Sequence, residues 1–211
     1  MASLTWGKGI QEAITEMSGG TRLLMLFLHR TDCESSQKML TETFNDQKVI
    51  SIMERETVPV KIDVSTREDL VKKYHVDFTP TFVFTDESGV ELDRWVGFLP
   101  PDEFIAQLTL SKGLADFHLN RLKEAEREFE LVIEESPQSE LVPEAEYYLG
   151  ITRVKEEGSN LPMGKICETL MNKYPNSIWT KRCSVWSYLV TGGPKTFVDY
   201  NQGGTLGSGA Y

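Results

Sequence analysis

An α/β domain followed by an all-α region is the fold class predicted by this chain of 211 residues, and three observations carry that expectation. Apolar runs of strand length alternate with helix-spaced segments up to about residue 109. Two of those runs flank a short turn, Asp86-Glu87-Ser88-Gly89, and so read as an antiparallel hairpin. From about Leu110 the strand signals stop and only helical spacing remains. The expected divisions are therefore 1–109, 110–190 and a Gly-rich tail over 191–211.

Residues 8–18 place Ile10, Ala13, Ile14 and Met17 at helical spacing. Residues 22–28 are apolar from Leu23 onward, as a strand buried on both faces must be. Good helix formers fill 33–44, with Thr31 or Asp32 as the expected N-cap, and 46–55 adds a further turn or two. The second strand is 57–64. Ser65-Thr66-Arg67-Glu68 has the capping-box pattern and opens a helix to about His75. A third strand, 78–84, is entered through Pro80, and a fourth runs from Val90 to Val96. Pro100-Pro101-Asp102 starts a helix through Leu108. Strands separated by helices give a parallel pair and the hairpin adds antiparallel strands, so the sheet is mixed and flanked by helices.

Cys33 at the junction of a buried strand and a helix, Thr79-Pro80 before the third strand, and Gly97 after the fourth together resemble the thioredoxin fold. The resemblance implies a cis Pro80 facing Cys33, with Thr79 beside it. It also implies a C-x-x-C dithiol, and here the chain departs: the run is Asp32-Cys33-Glu34-Ser35-Ser36, with Ser36 in place of the resolving cysteine. A hydroxyl cannot close a disulfide. The acid that the family carries six residues before the first cysteine is Phe27 here. Dithiol reduction is thus expected to be absent.

Cys33 could still act as a single thiol. A helix N-terminus favours the thiolate, whereas Asp32 and Glu34 disfavour it, and His29 and Arg30 could compensate. The sequence leaves that sum open. A peroxidase reading fails on Arg30, which stands where the peroxiredoxin threonine would be. Because adjacent acids are the opposite of an activating design, the sequence favours an interaction or scaffold role. Monothiol exchange through Cys33, with a protein client or glutathione, is the alternative.

In the second half, Leu122, Ala125, Phe129 and Val132 recur at helical spacing before Pro137, and Gly113 precedes them. This pattern resembles the tetratricopeptide repeat, and a second unit begins at Pro143 with Tyr147, Tyr148, Leu149 and Gly150. Met163, Cys167 and Leu170 form its second buried line, and a capping helix is expected over 178–190. The resemblance implies a protein or peptide partner. Asp32, Glu34, Tyr147, Tyr148, Trp179 and Trp186 are the candidate contact residues, with core packing the competing role for Trp179 and Trp186. Cys167 and Cys183 read as buried core thiols.

The net charge of −10 disfavours nucleic acid and anionic membrane surfaces and is compatible with a basic or extended partner segment. No apolar run reaches membrane-spanning length, and the first residues lack the basic-then-apolar pattern of a secretory signal, so a cytoplasmic location is expected. Neither the cysteines nor His29, His75 and His118 cluster at metal-ligand spacing, so no metal or cofactor is expected.

Overall fold

A computed structural model describes residues 3–17, 20–186 and 189. The expected tail at 191–211 and most of the last turn of the expected capping helix lie outside the described residues. The chain forms two compact units, Met1–Val142 and Pro143–Tyr211.

The first unit is built on four strands: β1 (Leu23–His29), β2 (Thr57–Asp63), β3 (Thr81–Thr85) and β4 (Glu91–Val96). Their order is β2-β1-β3-β4, with β1 parallel to β2 and antiparallel to β3, and β3 antiparallel to β4. Every residue of β1 is buried, because helices cover both faces of this central strand. On one face Leu24, Leu26 and Leu28 pack with α1 (Ile10–Met17) and α4 (Glu68–Lys73) through Ala13, Met17 and Leu70. On the other face Leu23, Met25 and Phe27 meet α2 (Glu34–Thr41), α3 (Gln47–Glu56) and α5 (Pro101–His118) through Met39, Val49, Met53, Phe104 and Leu108. The period-two alternation of one strand thus supplies both cores. Pro59 is tolerated because β2 is an edge strand; its carbonyl accepts the Gly7 N–H at 2.8 Å.

Three local expectations are corrected. The capping box at Ser65 is not used: Asp63 caps a short 3-10 turn by accepting from the Ser65 N–H, and α4 begins only at Glu68. The N-cap of α2 is Cys33 itself rather than Thr31 or Asp32, because the Asp32 carboxylate is held by Arg30. The boundary expected at 109/110 falls inside α5, which runs without interruption to His118.

The first unit also includes α6 (Leu122–Glu135), and a buried charge network explains why. Lys112 of α5 is fully buried. Its Nζ lies 2.8 Å from Asp116, 3.6 Å from Glu56 at the end of α3, and 3.7 Å from Glu128 of α6. Arg127 adds a second cation to Glu128 at 2.5 Å and reaches Glu56 at 3.8 Å. Burial pushes the Asp116 and Glu128 carboxyls above their ordinary range, and the neighbouring cations pull the other way. Beside the network, Gly113 lets α5 and α6 approach closely: a Cβ there would stand 2.7 Å from the ring of Phe129.

In the second unit α7 (Val142–Glu157) and α8 (Leu161–Lys173) form a hairpin through Gly158, whose φ of +65° suits glycine. Gly150 plays the part of Gly113, facing Met163 and Ile166. A short helix, α9 (Ile178–Arg182), and a 3-10 turn (Cys183–Trp186) follow. Cys167 and Cys183 are buried, as expected, but they are not free thiols. They form a disulfide with Cα atoms 5.5 Å apart. Sixteen residues of separation concealed this, since only the return of the chain after α9 brings the two sulfurs together.

Candidate functional site at Cys33

β1 ends at His29, and Arg30 to Asp32 turn the chain into α2. Cys33 has extended backbone angles (φ −93°, ψ 118°), and its carbonyl accepts the first helical bond from Gln37 at 3.0 Å. This places a partly exposed sulfur on the N-terminus of α2. Opposite it, the Thr79–Pro80 peptide is cis, and the thiol of Cys33 donates to the Thr79 carbonyl at 3.0 Å. The Pro80 carbonyl in turn accepts from Gly97 N–H at 2.9 Å, and Gly97 sits at φ +107°, a conformation that favours glycine. The four residues that carried the resemblance, Cys33, Thr79, Pro80 and Gly97, therefore lie in one connected site.

Ser36 follows one turn after Cys33. Its side chain is fully buried, and its hydroxyl has no conventional hydrogen-bond partner. It lies in the first turn of the helix that Cys33 caps. Partial burial raises the Cys33 pKa, but the side-chain hydroxyls of Ser36 and Thr79 and the N–H groups of Ser36 and Ser35 outweigh it and hold the thiol below its ordinary value. The two kinds of contact serve different states. The Thr79 carbonyl can only accept, so it suits the protonated thiol; the hydroxyl and amides donate, so they suit the thiolate.

The flanking acids do not oppose this. Asp32 forms a two-pronged ion pair with Arg30 at 2.9 and 2.6 Å, and Glu34 pairs with Lys38 at 3.4 Å across one helical turn. Both acids are exposed, where solvent screens them. Arg30 is thereby occupied. His29 is buried and stacks on Phe27 at 5.1 Å; burial lowers its pKa, while Asp63 opposes this. The contact of Arg30 with Cys33 is through its backbone, whose carbonyl accepts the Cys33 N–H at 3.3 Å. Phe27 stands among aromatic rings, with Trp6, Phe44 and Phe82 at 5.8, 5.0 and 5.2 Å, so the place of the family's acid is filled by apolar packing.

Beside Thr79 a cavity of about 440 Å³ is lined by Arg30, Val64, Val71, Val76 and Phe78. Phe78 is 72% exposed. Sequence reasoning passed over it, although an aromatic residue directly before Thr79-Pro80 was a visible signal.

The other expected contact residues lie in the second unit. Tyr147 and Tyr148 bracket Trp179 with ring centroids at 5.3 and 5.4 Å, and the Arg182 guanidinium covers the indole at 4.1 Å. All three rings are half-buried, so they combine packing with a surface. Trp186 is also half-buried, with its indole N–H unpartnered. Among the described residues no group of His, Cys, Asp and Glu is arranged to hold a metal ion.

The geometry of β1, Cys33, α2 and the cis Pro80 agrees with comparison to known proteins. A family model described as a thioredoxin-like domain matches residues 10–112. Residues 10–112 resemble that family and have the thioredoxin-like fold. The thiol:disulfide interchange protein DsbD of Actinobacillus pleuropneumoniae serotype 5b (strain L20) is 32% identical over 102 residues, which cover 46% of this chain and 17% of that protein. The chain thus spans only a small part of that relative's length. Among solved structures, a DsbH oxidoreductase matches with a TM-score of 0.48 at 18% identity, covering 53% of this chain and 85% of its own. A thioredoxin from Thermus thermophilus matches with a TM-score of 0.44 at 28% identity, covering 51% and 85%. The thioredoxin-like match ends at residue 112, six residues short of the end of α5.

Proposed function

We propose that this protein is a monothiol thiol–disulfide exchange protein that forms mixed disulfides with protein clients through Cys33. The observation that carries this reading is the partly exposed Cys33 on the N-terminus of α2, against the cis Thr79–Pro80 peptide, with the flanking acids engaged elsewhere. That arrangement reverses the weight that the sequence placed on a scaffold role, because Asp32 and Glu34 no longer count against the thiolate. The similarity to the thiol:disulfide interchange protein DsbD supports the same chemistry.

The helical hairpins supply the second part of the reading, a tetratricopeptide-like module for protein contact. Its support is the repeated packing of a first-helix glycine, Gly113 or Gly150, on the second helix. A pure scaffold is the competing function, and the half-buried Tyr147–Tyr148–Trp179 cluster is the observation in its favour. The Cys167–Cys183 disulfide supports an oxidising surrounding rather than the cytoplasm.

The test is capture of clients under non-reducing conditions. Wild-type protein should carry reductant-sensitive adducts that disappear in C33S. Equal client recovery with C33S, together with its loss on substitution of Tyr147 and Trp179, would leave only the scaffold. Insulin reduction should be absent in either case.

A further inference from the structure

Ser36 occupies the place of a resolving cysteine, yet its hydroxyl is not idle filler. It is fully buried, no hydrogen bond engages it while the Cys33 thiol donates to the Thr79 carbonyl, and it lies three residues beyond Cys33 in the first turn of the helix that Cys33 caps. A buried hydroxyl without a partner is costly unless a functional state uses it. The state available here is the Cys33 thiolate, which accepts hydrogen bonds that the thiol does not need.

We propose that Ser36 makes Cys33 the preferred leaving group of its own mixed disulfides, so that the site shuffles disulfides within a client instead of reducing them. This rests on the reading of Cys33 as an exchanging thiol. In the first step the Cys33 thiolate attacks one sulfur of a mispaired client disulfide. A bond forms between Cys33 and that client sulfur, the client disulfide breaks, and the second client sulfur leaves as a thiolate. The released thiolate then attacks a second client disulfide and frees a third client sulfur as a thiolate, and that thiolate attacks the client sulfur bound to Cys33. A new client disulfide forms, and Cys33 departs as a thiolate that receives the Ser36 hydrogen bond. Two client disulfides and one thiolate are present before and after, so no oxidant or reductant is consumed.

The direction follows from leaving-group chemistry. Of the two sulfurs in a mixed disulfide, the one with the lower thiol pKa leaves faster. A cysteine at position 36 would instead attack Cys33 and release the client reduced. A hydroxyl cannot make that attack, but it can donate to the departing sulfur. The loss of the resolving thiol and the gain of a donor are therefore one change of reaction.

The probe is fully oxidised, scrambled ribonuclease A, with no added thiol and with this protein substoichiometric. Wild type should restore ribonuclease activity, and C33S should not. S36A should raise the Cys33 pKa, read from thiolate absorbance against pH, and slow recovery roughly threefold. S36C should form an internal disulfide and leave free thiols on the ribonuclease. If S36A matches wild type in both pKa and rate, the role of Ser36 is overturned. If wild type forms mixed disulfides but restores no activity, shuffling is overturned while monothiol exchange stands. If wild type forms no mixed disulfide at all, both readings fall. Circular dichroism of S36A and S36C separates loss of fold from loss of chemistry.

Discussion

At Cys33 the decisive quantity is the difference between two protonation states. The folded thiol has a lower pKa than the unfolded one. Below the folded value both forms are protonated and the group contributes nothing. As pH rises through that value the folded chain holds a thiolate while the unfolded chain still binds its proton, so stability rises. The contribution is complete above the ordinary thiol pKa. The alkylation rate of Cys33 should accordingly reach half its plateau at a pH below that of a free cysteine. The stability advantage of wild type over C33S should grow across the same window. A profile that coincides with free cysteine would remove the case for a held thiolate. Lys112 is the opposite kind of residue, a buried cation whose loss strands carboxylates. K112M should cost roughly 3–5 kcal/mol in urea denaturation. Asp116 and Glu128 have raised pKa values, so their burial favours the protonated form. Stability from such groups falls as pH rises through the folded pKa and is regained as pH falls. The penalty of K112M should therefore shrink between neutral pH and about pH 5, near the upper edge of the carboxylate range.

Among the elements, the pairing of α5 with α6 is the most sharply constrained. Gly113 would ordinarily be a weak choice in a helix, costing about 1 kcal/mol against alanine. Here the gain from alanine is outweighed, because Phe129 is fully buried and its ring cannot retreat from a Cβ at 2.7 Å. G113A should destabilise the first unit by about 1–3 kcal/mol. G150A should cost less, although its Cβ would lie 2.5 Å from Met163, because the contact is with the flexible Sδ of a methionine. Chemical denaturation of the two variants side by side checks the order, and a larger loss for G150A would refute the packing account. The helices over 122–135 and 161–173 were legible because their apolar spacing is periodic and local. The end of α5 was not. Leu108 looks terminal when the strand core is the only partner considered, and Ala115 joins the same core only because the helix continues.

For the whole molecule, the position of the first boundary has a direct consequence. A fragment of residues 1–142 should fold by itself, since it contains the sheet, both cores and the complete Lys112 network. A fragment of residues 1–109, cut where the sequence alone suggested, should not reach a cooperative fold. It leaves Glu56 without Lys112 and removes Ala115 from the core. Thermal unfolding of the two fragments distinguishes these outcomes, and an equally cooperative transition in 1–109 would show that α5 and α6 are appendages. No helix among the described residues is long and apolar enough to cross a membrane.

The sequence by itself determined the order of strands and helices, the mixed sheet, the place of Cys33 on a helix start and the absence of a resolving thiol. These depend on periodicity and on neighbours within a few residues, where local sterics and burial act directly. The tertiary structure decided the matters that depend on distant partners. It engaged Asp32 and Glu34 with nearby cations, buried the Ser36 hydroxyl without a partner and set the Thr79 carbonyl 3.0 Å from the Cys33 sulfur. It also joined Cys167 to Cys183 and buried Lys112 among three carboxylates. The physical reason is common to all of them. The sign of an electrostatic effect or the pairing of a sulfur turns on separations of a few ångströms, and those separations exist only once the chain has folded.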